Sequence, residues 1–392
     1  MAMNFNELPD RRGTFSYKWD QREKLFGGED VLPLWVADMD FKCSPAIVEA
    51  VVARASQGIY GYTIKSQEYV NAITGWFQGR HQWMIDPSWL TDSPGVVPSL
   101  SIAVRTLTSP GDQVIVMSPV YNPFYDVIVK NERSIADSPL ILKDGRYEMD
   151  FVTLEEHMQA GAKLLLLCSP HNPGGRVWTK EELLQLGELC IKYDVQVVAD
   201  EIHCDLVFDG NKHYPFSSLS SALAERTVTC LAPSKTFNIP GLQTSFVAIS
   251  NPSLKRLFDG EVSALSIGSV NFFGPTATIA AYTQGEPWLE SVLTYVKDNH
   301  DYAIQYLGEH LPGLIPIPSE GTYLLWVDCR SLGLAPAALK RLMYRDAKIA
   351  FNEGSIYGKT GEGFLRINLA CPRDVLAEAL TRFTQAVERI GS

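Results

Sequence analysis

The sequence of 392 residues lacks several patterns that would assign it to a specialised class of protein. It has no lysine-rich or arginine-rich block, and its net charge of −11 argues against a partner with a phosphate backbone. No apolar run approaches the length of a membrane span, and the opening residues MAMNFNELPDRR lack the apolar core of a signal peptide. We therefore expect a cytoplasmic protein that binds neither nucleic acid nor membrane.

Cysteine is scarce, and its spacing gives no sign of a metal site. The seven cysteines are scattered and include no CxxC pair, which excludes a zinc knuckle of familiar spacing. An odd, dispersed set of this kind is typical of buried thiols in a reducing compartment. We expect no bound metal.

The composition, with 46% hydrophobic and 20% charged residues, is that of a globular protein, and the length indicates about two domains. Strands are predicted in DQVIVMSP (112–119), KLLLLCSP (163–170), VQVVADEI (195–202) and TVTCLAPS (227–234). A helix over 179–194, with Thr179 as N-cap and Glu182 three residues later, separates the second strand from the third. This alternation indicates a mostly parallel sheet. The connection to TSFVAIS (244–250) is too short for a helical crossover, so that strand should be antiparallel.

The remaining predicted elements indicate a second, smaller unit towards the C-terminus. Helices are predicted over 45–57, 68–83, from near 276 through 311, over 335–347 and over 374–390, with strands in 322–330 and 364–370. The expected fold class is α/β, with a large domain over 46–285 whose mostly parallel sheet is flanked by helices. A smaller α+β domain is expected over 286–392, and the N-terminal segment 1–45 should join the two.

Polar and aromatic side chains follow each of the four predicted strands. Tyr121, Asn172, Asp200 and Lys235 come after the first, second, third and fourth strand, in that order. Because ligands of open α/β sheets bind beyond the carboxyl ends of the strands, these side chains should converge at one edge. Each also has an ordinary structural alternative. Asp200 or Ser234 could cap a local turn or helix, Tyr121 could belong to the core, SPHNPGG could be only a turn, and an isolated Lys235 would be a solvated loop lysine.

An amine, a carboxylate, an amide and an aromatic ring at one sheet edge are the groups that a pyridoxal 5'-phosphate site requires. The sequence also resembles a known family through seven stretches that occur in order. They are LPLWVADMDF (32–41), GIYGYT (58–63), SPVYNPFY (118–125), LLCSPHNPGGRVW (166–178), VVADEIHCDL (197–206), PSKTFNIPGLQTS (233–245) and FLRINLACPR (364–373). Through them nearly the whole chain resembles the fold-type I, class I/II pyridoxal-phosphate enzymes, and within these the MalY/PatB-like cystathionine β-lyase (C–S lyase) branch.

The resemblance implies roles for the residues at the strand ends. Lys235 would attach the cofactor covalently and move the proton at the substrate Cα, while Asp200 would pair with the protonated ring nitrogen. Asn172 would donate to the ring oxygen and contact the substrate, and Tyr121 would stack on the ring. His203 stands where many aminotransferases of the superfamily carry a tyrosine, which leaves open the second partner of the ring oxygen.

The cofactor phosphate would lie at the start of the predicted helix that follows SPG. There Gly95, Val96 and Val97 offer unpaired backbone amides, and the helix dipole attracts an anion. Ser234 would add a hydroxyl. Tyr62 resembles the tyrosine that reaches the phosphate of the neighbouring subunit, which implies a homodimer with shared active sites.

Arg366, in the predicted strand FLRINLA, resembles the residue that holds the substrate α-carboxylate, for which a planar guanidinium is well suited. The ordinary alternative for any arginine is a surface salt bridge. Trp35, Ala37 and Tyr323 would line the substrate side. Gln243 stands where aminotransferase relatives often place a phosphate-binding arginine, a departure that favours the lyase branch.

The reaction implied by the resemblance is β-elimination from cystathionine or related cysteine S-conjugates, with a role in methionine biosynthesis. The thiol product from cystathionine would be homocysteine, accompanied by pyruvate and ammonia. Two alternatives stay open. One is an aminotransferase that uses the same lysine and aspartate, and the other is a regulatory protein that binds a partner through the surface of the same fold.

Overall fold

The computed structural model describes residues 3–391 and contains a seven-stranded and a four-stranded sheet. The helices are α1 (Tyr17–Asp20), α2 (Arg22–Phe26), α3 (Pro45–Ala55), α4 (Gln67–His81), α5 (Val96–Leu107), α6 (Pro123–Val129), α7 (Phe151–Gln159), α8 (Lys180–Lys192), α9 (Ser221–Ala224), α10 (Pro233–Thr236), α11 (Pro252–Ala264), α12 (Gly274–Gln284), α13 (Glu286–His310), α14 (Pro336–Arg341) and α15 (Arg373–Gly391). The strands are β1 (Leu32–Pro33), β2 (Leu90–Ser93), β3 (Gln113–Val116), β4 (Ser134–Asp137), β5 (Ile141–Lys143), β6 (Arg146–Glu148), β7 (Leu164–Cys168), β8 (Gln196–Asp200), β9 (Thr227–Leu231), β10 (Ser245–Ala248), β11 (Ile315–Ile317), β12 (Leu324–Asp328), β13 (Ile349–Ala350), β14 (Asn352–Glu353) and β15 (Phe364–Asn368). Within 3–391, no helix has the length and apolar character needed to cross a membrane.

The large sheet has the strand order β2-β10-β9-β8-β7-β3-β4. Strands β9, β8, β7, β3 and β4 run parallel, and β10 is antiparallel to both of its neighbours. The predicted α/β class, with one antiparallel strand, is therefore confirmed. Every residue of β7 and β9 is buried, which explains why these strands appear in the sequence as continuous apolar runs.

Helix α8 illustrates how local sequence and packing agree. The Thr179 side chain accepts the backbone amide of Glu182, and the Glu182 side chain accepts that of Thr179, which completes the predicted capping box. Its apolar residues Leu183, Leu186 and Cys190 are buried in the same cluster as strand residues of the large sheet. The helix therefore holds the β7–β8 crossover against the sheet.

The C-terminal part forms an antiparallel sheet of order β11-β12-β15-β14. The N-terminal strand β1 pairs in parallel with β13, so the first segment of the chain is attached to the C-terminal part. The domain limits 46–285 and 286–392, with 1–45 as the joining segment, stay a prediction.

Some local features differ from the sequence-based expectation. The long helical region that begins near 276 is two helices, α12 and α13, which meet at Gly285. A Cβ at Gly285 would lie 2.5 Å from the Phe237 ring, so the close approach requires glycine. The helix predicted over 335–347 is α14 followed by a π-helical turn at Leu342–Asp346. Strand β2 and the hairpin β5–β6 were not predicted, because three or four residues carry too little periodicity.

Candidate active site

A cavity of about 250 Å³ lies at the carboxyl ends of β3, β7, β8 and β9. It is lined by ten of the predicted site residues: Ala37, Gly95, Val96, Val97, Tyr121, Asn172, Asp200, His203, Ser234 and Lys235. Four others lie outside its wall. Arg366 and Tyr323 are hydrogen-bonded to the wall residues Asn172 and Ala37, and Trp35 reaches Arg366 through its backbone carbonyl. Tyr62 is fully exposed on the surface.

Lys235 enters the cavity from the short helix α10, which begins at Pro233 directly after β9. Its Nζ donates to the carbonyl oxygen of Ala37 at 2.6 Å. Burial lowers the pKa of Lys235 to about 8; nearby Asp38 opposes this shift, Arg366 adds to it and Asp200 opposes it. The lower pKa increases the fraction of the amine that is unprotonated near neutral pH, and only that form can accept a proton.

Asp200 is the last residue of β8, and its carboxyl group is buried in the floor of the cavity. Its Oδ1 accepts the backbone amide of Ile202 at 3.2 Å, in a turn and not at the start of a helix. Burial raises the pKa of Asp200 to about 7, and the hydrogen bond from Ile202 and the charge of Lys235 oppose this shift. Among residues 3–391 this carboxyl group forms no ion pair, although Lys235 lies near it, and a protonated ring nitrogen would provide a cationic partner.

Arg366 lies in the middle of β15 and is 4% exposed, so the surface salt bridge is ruled out. Its guanidinium donates to Oδ1 of Asn172 at 3.0 Å, to the carbonyl of Trp35 at 2.7 Å and to Oδ1 of Asn352 at 2.9 Å. It also lies over the ring of Tyr357, 5.1 Å from the ring centroid. No carboxylate lies within 4.0 Å of it in the part of the chain that is described. A buried cation held only by neutral groups is suited to bind an anionic ligand.

His203 and Tyr121 also line the cavity that contains Asp200. Burial lowers the pKa of His203 to about 3, and the charges of Lys235 and Arg366 add to this, so the imidazole is neutral. Its Nδ1 is buried and has no hydrogen-bond partner among residues 3–391. This residue of the cavity wall therefore has one ring nitrogen without a partner in the described chain.

The amino terminus of α5 also lies on the cavity wall. Gly95, Val96 and Val97 line the wall there, together with Ser234. Amides in the first turn of a helix have no partner within the helix, which makes this end suitable for an anion. The wall also contains Gln243, and residues that the sequence analysis did not name: Cys168, Ile202, Thr244 and Ser245. The sequence could have indicated Cys168, because this residue ends the apolar run of a predicted strand. In the structure it ends β7, at the position paired with Asp200.

A cluster of potential metal ligands occurs outside the cavity lining: His81, Cys204 and Asp205, all buried. The Asp205 carboxylate is bonded to His81 Nε2 at 2.7 Å and accepts from Trp76 Nε1 at 3.0 Å and from Thr236 Oγ1 at 2.8 Å. Both of its oxygens are thus engaged by donors. We assign a structural role to this cluster, because its hydrogen bonds connect α4 with α10, the helix that contains Lys235.

Comparison with known proteins places the chain in a family. Residues 29–383 match the family Aminotransferase class I and II. The chain is 45% identical over 386 residues to cystathionine beta-lyase PatB of Bacillus subtilis strain 168, covering 98% of this chain and 100% of that one. It is 34% identical over 393 residues to Protein MalY of Escherichia coli strain K12, covering 99% of each. Cystalysin from Treponema denticola, whose crystal structure contains a pyridoxal 5'-phosphate cofactor, has a TM-score of 0.97 and 38% identity, with 100% of both chains covered. This chain belongs to the aminotransferase class I and II family.

Proposed function

We propose that this protein is a pyridoxal 5'-phosphate-dependent carbon–sulfur lyase of the cystathionine β-lyase type. It eliminates the thiol from cystathionine or related cysteine S-conjugates, and from cystathionine the products are homocysteine, pyruvate and ammonia. The observation that carries the proposal is the arrangement of three groups, two on the cavity wall and a third bonded to the wall residue Asn172. These are the buried amine of Lys235, the buried carboxyl group of Asp200 and the guanidinium of Arg366, whose partners are all neutral.

The residues that line the cavity suit both the phosphate and the ring of the cofactor. The start of α5 and the hydroxyl of Ser234 suit the phosphate, and Asp200 suits the ring nitrogen. The ring oxygen has a donor in the side-chain amide of Asn172, whose Oδ1 is already used by Arg366, and His203 lies on the same wall. When bound, pyridoxal 5'-phosphate supplies an acceptor for the electron pair that remains at the substrate Cα after proton removal.

The chain's own residues bind the substrate and move the proton. The planar guanidinium of Arg366 holds the substrate α-carboxylate, which fixes the direction of the Cα–H bond. The neutral amine of Lys235 takes the Cα proton. The Cβ–S bond then breaks and the sulfur leaves with the electron pair as thiolate. The remaining 2-aminoacrylate reacts with water to give pyruvate and ammonia.

The alternative reaction, transamination, shares the binding residues and the proton transfer. Gln243 lines the cavity as a neutral side chain where aminotransferase relatives often place an arginine, which favours elimination. The test supplies L-cystathionine without any keto acid and follows free thiol and pyruvate. We expect both to appear in equal amounts. If neither appears and a keto acid restores turnover, the protein is an aminotransferase and the proposal is wrong.

We also infer that the protein works as a homodimer in the cytoplasm on a small amino-acid substrate. Tyr62 is fully exposed, and the apolar side chains of Ile59 and Ile64 beside it are exposed as well. A tyrosine that reaches the phosphate of a partner subunit would be exposed in a single chain. All seven cysteines are free thiols, which fits a reducing compartment.

A further inference from the structure

The carbonyl oxygen of Ala37 accepts two hydrogen bonds at the edge of the cavity. One comes from the amine of Lys235 at 2.6 Å and the other from the hydroxyl of Tyr323 at 2.9 Å. Tyr323 is 1% exposed, and burial raises its pKa well above the ordinary value, so its hydroxyl stays protonated and remains a donor. Neither donor is a sequence neighbour of Ala37, so three distant segments meet at one oxygen.

The position of this carbonyl is fixed by Asn368, at the end of β15. Its Nδ2 donates to the carbonyl of Val36 at 2.6 Å and to that of Asp38 at 2.7 Å, which are the residues on either side of Ala37. Its Oδ1 accepts the backbone amide of Ala370 at 2.9 Å, which determines which atom of the carboxamide is the nitrogen. One buried side chain thus brackets Ala37 and leaves its carbonyl directed at Lys235.

A second carboxamide ties the same segment to the lysine loop. Asn238, three residues after Lys235, donates to the carbonyls of Met39 at 3.0 Å and Phe41 at 2.7 Å. It also accepts the backbone amide of Met39 at 2.9 Å. The distance from the lysine backbone to the Ala37 carbonyl is therefore set by hydrogen bonds at both ends.

The acceptor is neutral, and this matters for the chemistry. A carboxylate in contact with the amine would hold it as an ammonium ion, which has no lone pair to accept a proton. The nearby carboxylate of Asp38 is instead paired with Arg11 at 2.7 Å and lies 3.5 Å from the amine of Lys18. A carbonyl that accepts one N–H leaves the lone pair of a neutral amine free.

We propose that the Ala37 carbonyl positions the Lys235 amine while that amine moves the proton at the substrate Cα, and that Tyr323 and Asn368 are positioning residues that hold this carbonyl. This inference rests on the proposed function, since it requires Lys235 to act on the Cα proton. In the transfer the Cα–H bond breaks and a new N–H bond forms. The electron pair of the C–H bond stays with the substrate and its bound cofactor. The ammonium that results keeps its hydrogen bond to Ala37.

The first test measures exchange of the Cα proton of L-alanine in D₂O by NMR with the holoenzyme, because alanine has no leaving group at Cβ. We expect Tyr323→Phe to slow the maximal exchange rate about tenfold, because small misplacements of reacting groups are costly. The L-alanine concentration that gives half the maximal rate should stay within about twofold of the wild-type value. The reason is that the substrate takes the place of the Lys235 amine on the cofactor, and its carboxylate site at Arg366 is unchanged. The matched control is Tyr282→Phe, a buried tyrosine outside the cavity whose hydroxyl has no partner in the described chain; it should exchange at the wild-type rate.

The second test reads the lysine without turnover. In the cofactor-free full-length protein, the rate of reductive methylation of Lys235 is measured against pH by peptide mapping. Removing the Tyr323 hydroxyl leaves the Ala37 oxygen to the amine alone, which favours the charged form, so the pH midpoint should rise in Tyr323→Phe. It should not move in Tyr282→Phe.

The outcomes separate this inference from the proposed function. If the wild-type holoenzyme neither exchanges L-alanine nor cleaves L-cystathionine, the proposed function is wrong. If the wild type does both and Tyr323→Phe matches it in exchange rate and methylation midpoint, the positioning role is wrong. A loss in Tyr323→Phe that lies wholly in half-saturation would make Tyr323 a substrate-binding residue and also overturn the inference. Asn368→Ala, checked for folding by circular dichroism, should slow exchange as well, and if it does not fold, Tyr323→Phe decides.

Discussion

At the scale of single residues, Arg366 combines burial with partners that are all neutral. Its guanidinium donates to Asn172, Asn352 and the Trp35 carbonyl and lies over the ring of Tyr357. A guanidinium can bind a carboxylate through two parallel hydrogen bonds when the carboxylate replaces one of its present acceptors, whereas a lysine at the same place would provide a point charge. Replacing Arg366 with lysine therefore tests whether the shape of the guanidinium matters in addition to its charge.

We expect Arg366→Lys to lower kcat/KM for L-cystathionine about a hundredfold, which corresponds to about 2.7 kcal/mol. Charge is kept and the paired geometry is lost, so the Cα–H bond is no longer held against the Lys235 amine. Steady-state assay of pyruvate release measures the effect. Arg105→Lys, at an exposed arginine paired with Glu261 at 2.6 Å, is the control and should match the wild type. Equal kcat/KM in both variants would remove Arg366 from carboxylate binding.

Asp200 gives a prediction on pH. Its folded-state pKa is about 7, whereas an unfolded aspartate titrates near 3.9. Between these values the folded, cofactor-free protein keeps a proton that the unfolded chain has lost, so this group lowers stability as pH rises, by at most about 1.4 kcal/mol per pH unit. The free energy of unfolding of the wild type minus that of Asp200→Asn should therefore fall from about pH 4 to about pH 7 and stay level above. Urea denaturation at several pH values measures this difference, in which titrating groups that do not interact with Asp200 cancel, and a constant difference between about pH 4 and pH 7 would contradict the assignment.

At the scale of elements, the site is made by the ends of strands and the starts of helices. The end of β8 provides Asp200, and the starts of α5 and α10 provide backbone amides and the Ser234 hydroxyl for an anion. The strand end places a carboxyl group on the cavity, and the helix starts place hydrogen-bond donors there. This combination suits a ligand with a cationic ring nitrogen and an anionic phosphate.

This arrangement predicts that Ser234→Ala weakens phosphate binding alone. Loss of one hydrogen bond to a charged group costs about 1.5–3 kcal/mol, so the Kd for pyridoxal 5'-phosphate should rise about tenfold to a hundredfold. Binding of pyridoxal, which has no phosphate, should change by less than about twofold. Absorbance titration of the cofactor-free protein with both ligands makes the comparison. Equal weakening of both would show that Ser234 does not contact the phosphate.

The elements also show what a sequence can and cannot predict here. The strand ends at Tyr121, Asn172, Asp200 and Lys235 were predictable, because buried parallel strands leave long apolar runs and their carboxyl ends share one edge. The segment around Ala37 was placed near the substrate by family resemblance, but its hydrogen bonds left no pattern. Backbone carbonyls accept from side chains hundreds of residues away, as Ala37 does from Lys235 and Tyr323, and no periodicity encodes such contacts. Short elements such as β2 were lost for the simpler reason that four residues hardly define a period.

At the scale of the whole molecule, we propose from the position of Tyr62 that one chain does not complete its own site. Its side chain is fully exposed, with Ile59 and Ile64 exposed beside it, whereas the cavity that holds Lys235 and Asp200 is formed within one chain. If Tyr62 contacts the phosphate held by a partner subunit, each active site of the dimer combines Tyr62 from one chain with Lys235 from the other. A closed two-fold dimer makes both sites equivalent.

Mixing two inactive variants tests this combination. Lys235→Ala and Tyr62→Ala are refolded together in equal amounts, so that about half of the dimers contain one chain of each kind. Such a mixed dimer has one site with both residues intact, and the mixture should recover about a quarter of the wild-type activity. Lys235→Ala mixed with Asp200→Asn is the control, because both residues line one cavity in one chain and no intact site can form. No recovery in the test mixture would mean that Tyr62 serves the chain that carries it, and recovery in the control would mean that Lys235 and Asp200 do not act in the same site.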